Sequence, residues 1–531
     1  MSRPRAAASS LRIAFCILIS TLFSSCATPA PVTLPPPAPI NLVTVDPNSS
    51  PTPTPFQPSL PSDTPIPLPT ATVALTDTPL PTFTFTPLPP TATNAPPADQ
   101  PTSAPNVSHR TQYIFYATLD YAGHTLTADE TIRYFNTTNQ TLTEIVMAVE
   151  PNLWQSAFQL NSLSQDNVAL DSYSLLGQRL SVTLPQSLQP DAATTLALNF
   201  TIYIPPKQYK GTFGYLSNQT NLTDWYPFVV PFDGGWVLHD PGAFGEHLVY
   251  DSSDFEINLK VNDPSIVVAA SAPAEANGEW TRYRLYGART FVLSASDHFQ
   301  FVQSAVGSTV IRCYYFDGYD GAANGMLQAA VQAVGLFSAK FAPYPYDNLS
   351  VVQTDVPDGQ EYDGLVFLSS NFYDQYGGSA KSNMIDIGVH EIAHQWWFGL
   401  VGDDQALDPW LDEAFAVYSE RIFYEYDYPN YGDWWWGFRV NYFGPSGYVD
   451  NSIYDVTTFR AYVNSVYLNG ATFLEDLRTR IGDEAFFRGL KKYAATYGRG
   501  RATAAGFFAI MRQESSTDFS DLIQEYFKGS Y

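Results

Sequence analysis

Apolar and polar residues alternate with a period of two through TQYIFYATLDY, TADETIRYFN, LTEIVMAVEP, TTLALNFTIYI and DFEINLKV, with Asn, Gly and Pro between the runs. Alternation of this kind gives each run one face for a core and one for solvent, so it predicts antiparallel strands. The pattern begins near Ser108 and continues through TRYRLYGARTFVLSAS and DHFQFVQSA. An all-β domain over 108–303 is expected. Beyond Val306 the period changes: the strand VIRCYYFD leads into GMLQAAVQAVGLFSAKFA, whose apolar spacing is helical, and then into the strand LSVVQTDV. NMIDIGVHEIAHQWWFGL, WLDEAFAVYSERIFYEY, GATFLEDLRTRIG, DEAFFRGLKKYAATYG, TAAGFFAIMRQES and FSDLIQEYF then read as helices. The segment 304–531 is therefore expected to be a mainly helical α+β domain.

Ahead of Ser108 no periodicity survives. From Ala27 to Asn106 the chain is dominated by Pro, Thr, Ala and Ser, with 24 of the 41 prolines. Such a stretch buries no core and favours extended polyproline II at ~3.1 Å per residue, so 27–107 reads as a long disordered stalk. Before it, Arg3, Arg5 and Arg12 precede an apolar run from Ile13 to Phe23, then Ser24, Ser25 and Cys26. The run is short for a membrane span and has the layout of an export signal. Leu-Phe-Ser-Ser-Cys resembles a bacterial lipoprotein signal, with Phe23 where an aliphatic residue is usual. The resemblance implies a signal over 1–26, lipidation at Cys26, and a chain anchored by lipid at the cell surface or on the periplasmic side of a membrane. A cleaved secretory signal is the alternative. Cys16 leaves with the signal in either case, and Cys313, in the apolar string IRCYYF, reads as a buried thiol, so no disulfide framework is expected.

Lys and Arg total 27 against 52 Asp and Glu, a formal charge of -25. A surface of that sign repels phosphate backbones and argues against a nucleic-acid partner.

The chemistry concentrates in one helical run. His390, Glu391 and His394 form H-E-x-x-H, which places two imidazoles one turn apart on one helix face, the spacing for a single zinc ion per chain. A catalytic zinc needs a third protein ligand. Glu413 supplies a candidate: eighteen residues separate it from His394, and Pro409 followed by apolar periodicity starts a second helix near Trp410.

HEIAHQWW with Glu413 in WLDEAFA resembles the aminopeptidase N family of gluzincin metallopeptidases. NLTDWYPFVVPFDGGW, PYPYDNLSVVQ and VYLNGATFLEDL extend the likeness over the chain beyond the stalk. The resemblance implies a saddle-like β-sandwich domain followed by a thermolysin-like catalytic domain. It implies that Glu391 is the general base acting on water at the metal. Tyr467 matches the tyrosine of the family's Y-x-K-G segment, an oxyanion donor, with Asn469 in place of the lysine and Tyr462 as its nearest rival. Gly359-Gln360-Glu361-Tyr362 lies where the family has G-x-M-E-N, whose glutamate binds the substrate's α-ammonium; Gln360 and Tyr362 replace Met and Asn. Only 64 residues follow Tyr467, so a chain without the family's large helical C-terminal domain, and with a more open cleft, is expected.

The function expected from these matches is zinc-dependent hydrolysis of N-terminal residues from peptides with a free N-terminus. A metallopeptidase of other exo- or endo-specificity is the alternative within enzymes. A catalytically inert surface-anchored binding protein is the alternative of a different class. Preferred residue and oligomeric state have no signature in the sequence.

Overall fold

The computed structural model describes residues 109–207 and 211–531. The signal-like segment 1–26 with Cys26, and the Pro/Thr-rich stretch 27–107, lie outside the described residues.

The period-two runs pair with one another. Gln112–Asp120 runs antiparallel to Thr125–Phe135, with Ala117 opposite Ala128. Thr125–Phe135 pairs antiparallel with Ala193–Tyr203, and Gln112–Asp120 pairs parallel with Ser253–Val261 on its other side. These four strands form the middle of an eight-stranded sheet. Tyr113, Phe115, Ala117 and Leu119 are all buried on one face. A one-residue slip would move each to the opposite face at ~1.5–3 kcal/mol for every large side chain exposed, which fixes the register. Trp225 lies against Phe115, 5.0 Å between ring centroids. Two four-stranded sheets complete this part, and their Ile145, Leu180 and Leu293 join the same core.

The second part is built on a five-stranded sheet. Thr309–Tyr315, Asn348–Thr354 and Leu365–Ser369 run parallel, with Gln300–Val306 antiparallel at one edge and Gly359–Tyr362 antiparallel at the other. Gln300–Val306 is the strand expected to end the β domain. It belongs to the five-stranded sheet instead, because a two-residue turn at Gly307 ties it to Thr309–Tyr315. Alternation identifies a strand but not its partner.

Helix Asp320–Lys340 crosses between the first two parallel strands, the connection that parallel pairing requires. It buries Ala323, Met326, Ala330, Val334 and Phe337, spaced three and four apart. Helix Asn383–Ala393 is buried along its length from Met384, and the Ser382 hydroxyl caps it by accepting from the Ile385 amide. The expected helix through Leu400 stops earlier. His394 is its C-cap, and a compact turn then lets Trp396 and Trp397 bury, each with its indole N–H bonded, to the Ala342 carbonyl and the Ser419 hydroxyl. Helix Trp410–Asp427 returns beside it. Cys313 is a buried free thiol. Among the described residues no helix is long and apolar enough to cross a membrane.

Candidate metal centre

The two helices bring three donor atoms to one point. His390 Nε2 lies 3.1 Å from His394 Nε2 and 3.2 Å from Glu413 Oε2, and His394 Nε2 lies 3.6 Å from the same oxygen. Ligands held at ~2.0–2.2 Å around a tetrahedral ion stand ~3.3–3.6 Å apart, so the triad fits zinc without rearrangement. The exposures of His390, His394 and Glu413 are 5%, 1% and 4%. Donors this dry have few water molecules to lose.

Each imidazole is oriented from behind. His390 Nδ1 donates to Glu420 at 2.8 Å, and His394 Nδ1 donates to Asp412. Both Nε2 lone pairs are thereby turned toward the third ligand. Glu420 is held in turn: Arg439 donates to both its oxygens at 2.9 Å, and Trp435 Nε1 donates at 3.1 Å. Burial raises the Glu420 carboxyl, but the Arg439 guanidinium and the His390 hydrogen bond prevail and hold it at about 2. Asp386, one helical turn before His390, accepts from Trp435 at 3.0 Å, and burial and Glu420 push its carboxyl up.

Around the triad stands an excess of acid. Glu391 is 5% exposed, and its Oε2 is buried without a hydrogen-bond partner. Burial, then Glu361 and Glu413, push its carboxyl well above the usual range. Burial does the same for Glu361, on the edge strand Gly359–Tyr362, and raises the carboxyl of Glu246, on a loop of the β domain. Glu413, unlike these three, is held low, the His390 and His394 imidazoles outweighing its burial. A dication bound among such carboxylates reverses their preference for the proton.

Gly359 is fixed by a close approach, since a Cβ on it would overlap the Glu391 carboxylate. Tyr467 lies on a π-helical turn, Val463–Asn469, with its ring stacked on His390 at 6.2 Å between centroids and its hydroxyl bonded to Glu413. Gly470 lets that segment touch Ala414, beside Glu413, at a distance that a Cβ would forbid. Tyr462 is fully buried behind it, against Phe244.

All the sequence-predicted residues of the site except Cys26 thus line one cleft of about 580 Å³, and Glu246 and Phe244 of the β domain form part of its wall. Glu246, Asp412 and Glu420 are the functional positions that the sequence reading missed. Glu420 could have been found from its spacing, seven residues beyond Glu413 on the same helix face. Nothing in GAFGEHLVY marks Glu246.

Residues 326–526 match the peptidase family M1 domain. The rice protein Aminopeptidase M1-B is 28% identical over 243 residues, 42% of this chain and 27% of that protein. Mouse endoplasmic reticulum aminopeptidase 1 is 28% identical over 186 residues, 32% of this chain and 20% of its own. The chain spans about a quarter of the length of these curated relatives. A crystal structure of an M1 zinc metallopeptidase mutant from Deinococcus radiodurans, bound to a Tyr-Ser-Ala substrate, aligns with TM-score 0.58 at 18% identity, over 80% of this chain and 94% of that one. That alignment covers both parts of the fold. The sequence match and the donor triad fall in the same helices, so the part of the chain that carries H-E-x-x-H and Glu413 is a segment similar to the peptidase family M1 domain.

Proposed function

We propose that this chain is a zinc aminopeptidase that removes residues from the free N-terminus of peptides. The observation that carries the reading is the carboxylate pair Glu246 and Glu361 beside the donor triad. Among the described residues lining the cleft the only Lys or Arg is Arg439, and its guanidinium holds Glu420. An α-ammonium between the two acids supplies the missing charge and places the first peptide bond over His390, His394 and Glu413.

Zinc on those three residues would polarise the scissile carbonyl and make the attacking water more acidic. Glu391 takes a proton from that water at Oε2 and passes it to the leaving amine as the C–N bond breaks. The Tyr467 hydroxyl donates to the oxygen that gains charge at the tetrahedral stage. The edge strand Gly359–Tyr362 has an unpaired side along which an extended peptide can lie, and Gly359 brings that backbone close to Glu391.

Digestion of a peptide library by the zinc-loaded protein, read by mass spectrometry with and without a chelator, tests the reading. Loss of single N-terminal residues, abolished by the chelator, is expected. Internal cleavage, or equal cleavage of N-acetylated peptides, would defeat it.

The N-terminal expectation belongs to the proposal as well. Acylation at Cys26 would hold the exported enzyme on the outer side of a membrane, with 27–107 as spacer; two acyl chains suffice for stable anchoring. Labelled palmitate should enter the parent and not Cys26→Ala. Labelling of both would reject the anchor.

A further inference from the structure

Beyond the amine-binding acids the cleft continues into a second cavity of about 240 Å³. Thr212, Gly245, Glu246, Gln360 and Glu361 line both spaces, so a residue whose ammonium rests on Glu246 and Glu361 has this cavity beside its side chain. Its lining carries two more acids, Asp224 and Glu150, and among the described lining residues His247 is the only base.

Among the described residues lining the cavity neither acid has a Lys or Arg beside it. Asp224 accepts one hydrogen bond, from the Tyr250 hydroxyl at 2.7 Å, and burial, against that bond and with Glu150 adding to it, raises its carboxyl to about 7. Its backbone sits at φ 46°, the left-handed region that costs a non-glycine residue energy and persists where the surroundings demand it. Glu150 Oε2 accepts no hydrogen bond and lies 3.4 Å from His247 Nε2, which faces Gln178 Oε1 at 3.1 Å. A largely buried carboxylate with no full positive charge beside it lowers its free energy by taking a cation, and a cationic group reaching Asp224 would form a charge-assisted bond.

We propose that this second cavity is the pocket for the substrate's N-terminal side chain, and that Asp224 and Glu150 select a cationic one, lysine or arginine. The proposal rests on the aminopeptidase reading for the placement of the α-ammonium. Anionic side chains meet four carboxylates here and are rejected; apolar ones leave Asp224 and Glu150 unpaired.

The test compares two ligands that differ only by a terminal ammonium, L-lysinamide and L-norleucinamide. Calorimetry on the zinc-loaded full chain carrying Glu391→Gln, which prevents turnover, should give lysinamide a Kd ~10-fold or more below norleucinamide, the scale of one charge-assisted hydrogen bond. Asp224→Asn should bring the two Kd values together, and Glu150→Gln should narrow the gap. In turnover assays of the parent, kcat/KM for arginyl and lysyl reporters should exceed that for leucyl and glutamyl reporters, and the arginyl-to-leucyl ratio should fall ~10-fold in Asp224→Asn. Equal binding of the two amides by the parent, or a preference for lysinamide that survives both substitutions, overturns the proposal. If Asp224→Asn does not fold, Glu150→Gln, at the half-buried rim, decides by the same ratio. Preferential lysinamide binding by a protein inert toward every reporter would keep the pocket and reject the peptidase reading.

Discussion

Glu246 and Glu361 come from different domains and share one side-chain amide: Gln360 Nε2 donates to Glu361 at 2.8 Å and stands 3.3 Å from Glu246. Gln405 adds a second amide on Glu361 at 3.4 Å. Two amides orient the acids but carry no charge, and the pair is left for a cation.

Removing either acid should therefore act on substrates according to their amine. Glu361→Ala is expected to lower kcat/KM for free-amine reporters by ~100-fold or more, the scale of a lost buried ion pair, and to change N-acetylated peptides far less. Glu246→Gln keeps the shape and should cost ~10-fold on the same ratio. Parallel losses on free and acetylated substrates would remove the ammonium role from both residues.

The pair also shows where the sequence could be read and where it could not. His390 and His394 lie one turn apart whatever the tertiary fold, and Glu413 follows on a helix that Pro409 starts, so the triad could be read from local spacing. Glu361 followed from a resemblance to a known segment. Glu246 stands in an irregular loop that has no period. It is brought to the cleft by contacts distant in sequence: Phe244 packs on Tyr462, His239 bonds Asp404 at 2.8 Å, and Gly245 fits against Ile453. Tyr467 was ambiguous with Tyr462 for a local reason. The π-helical turn Val463–Asn469 shifts the register that an α-helix would impose, and in the folded chain it is the Tyr467 phenol that faces Glu413. The strand Gln300–Val306 was recognised as a strand and given to the wrong sheet, since alternation carries no information about partners.

Tyr467 and Tyr462 are separable by experiment. Tyr467→Phe removes a donor at the developing oxyanion and should lower kcat by ~10²–10³ with KM little changed. Tyr462→Phe removes a hydroxyl that is buried without a partner and should keep kcat within a few-fold. The reverse order of effects would transfer the donor role to Tyr462.

Metal retention depends on the residues behind the imidazoles as well as on the triad. Glu413→Gln loses a charged ligand and should copurify with little zinc, where the parent holds one equivalent. Glu420→Gln keeps all three ligands but loosens His390, so its zinc should compete ~10–100-fold less well against a chelator. It also takes from the buried Arg439 guanidinium the carboxylate that accepts two of its hydrogen bonds, so its Tm should fall even with saturating zinc. An unchanged chelator competition curve for Glu420→Gln would show that the imidazole is held by packing alone.

Far from the cleft, Glu130 breaks the alternation of its strand by facing inward with Leu126, Ala128 and Ile132. It lies opposite Phe115 on one neighbouring strand and Leu198 on the other, and neither carboxylate oxygen has a hydrogen-bond partner. Burial pushes its carboxyl well above the usual 4.5. A carboxyl whose folded pKa exceeds its unfolded one stabilises the fold fully below the unfolded value and loses that contribution as pH climbs toward the folded value. The parent should therefore weaken from about pH 4.5 upward through this group, by at most ~1.4 kcal/mol per pH unit. Glu130→Gln has the same shape and does not titrate. Its unfolding free energy in urea, measured from pH 5 to pH 8, should gain on the parent steadily as pH rises, since the unsatisfied amide penalises the variant equally at every pH. Parallel pH profiles for the two proteins would mean that Glu130 reaches solvent or a partner and ionises in place.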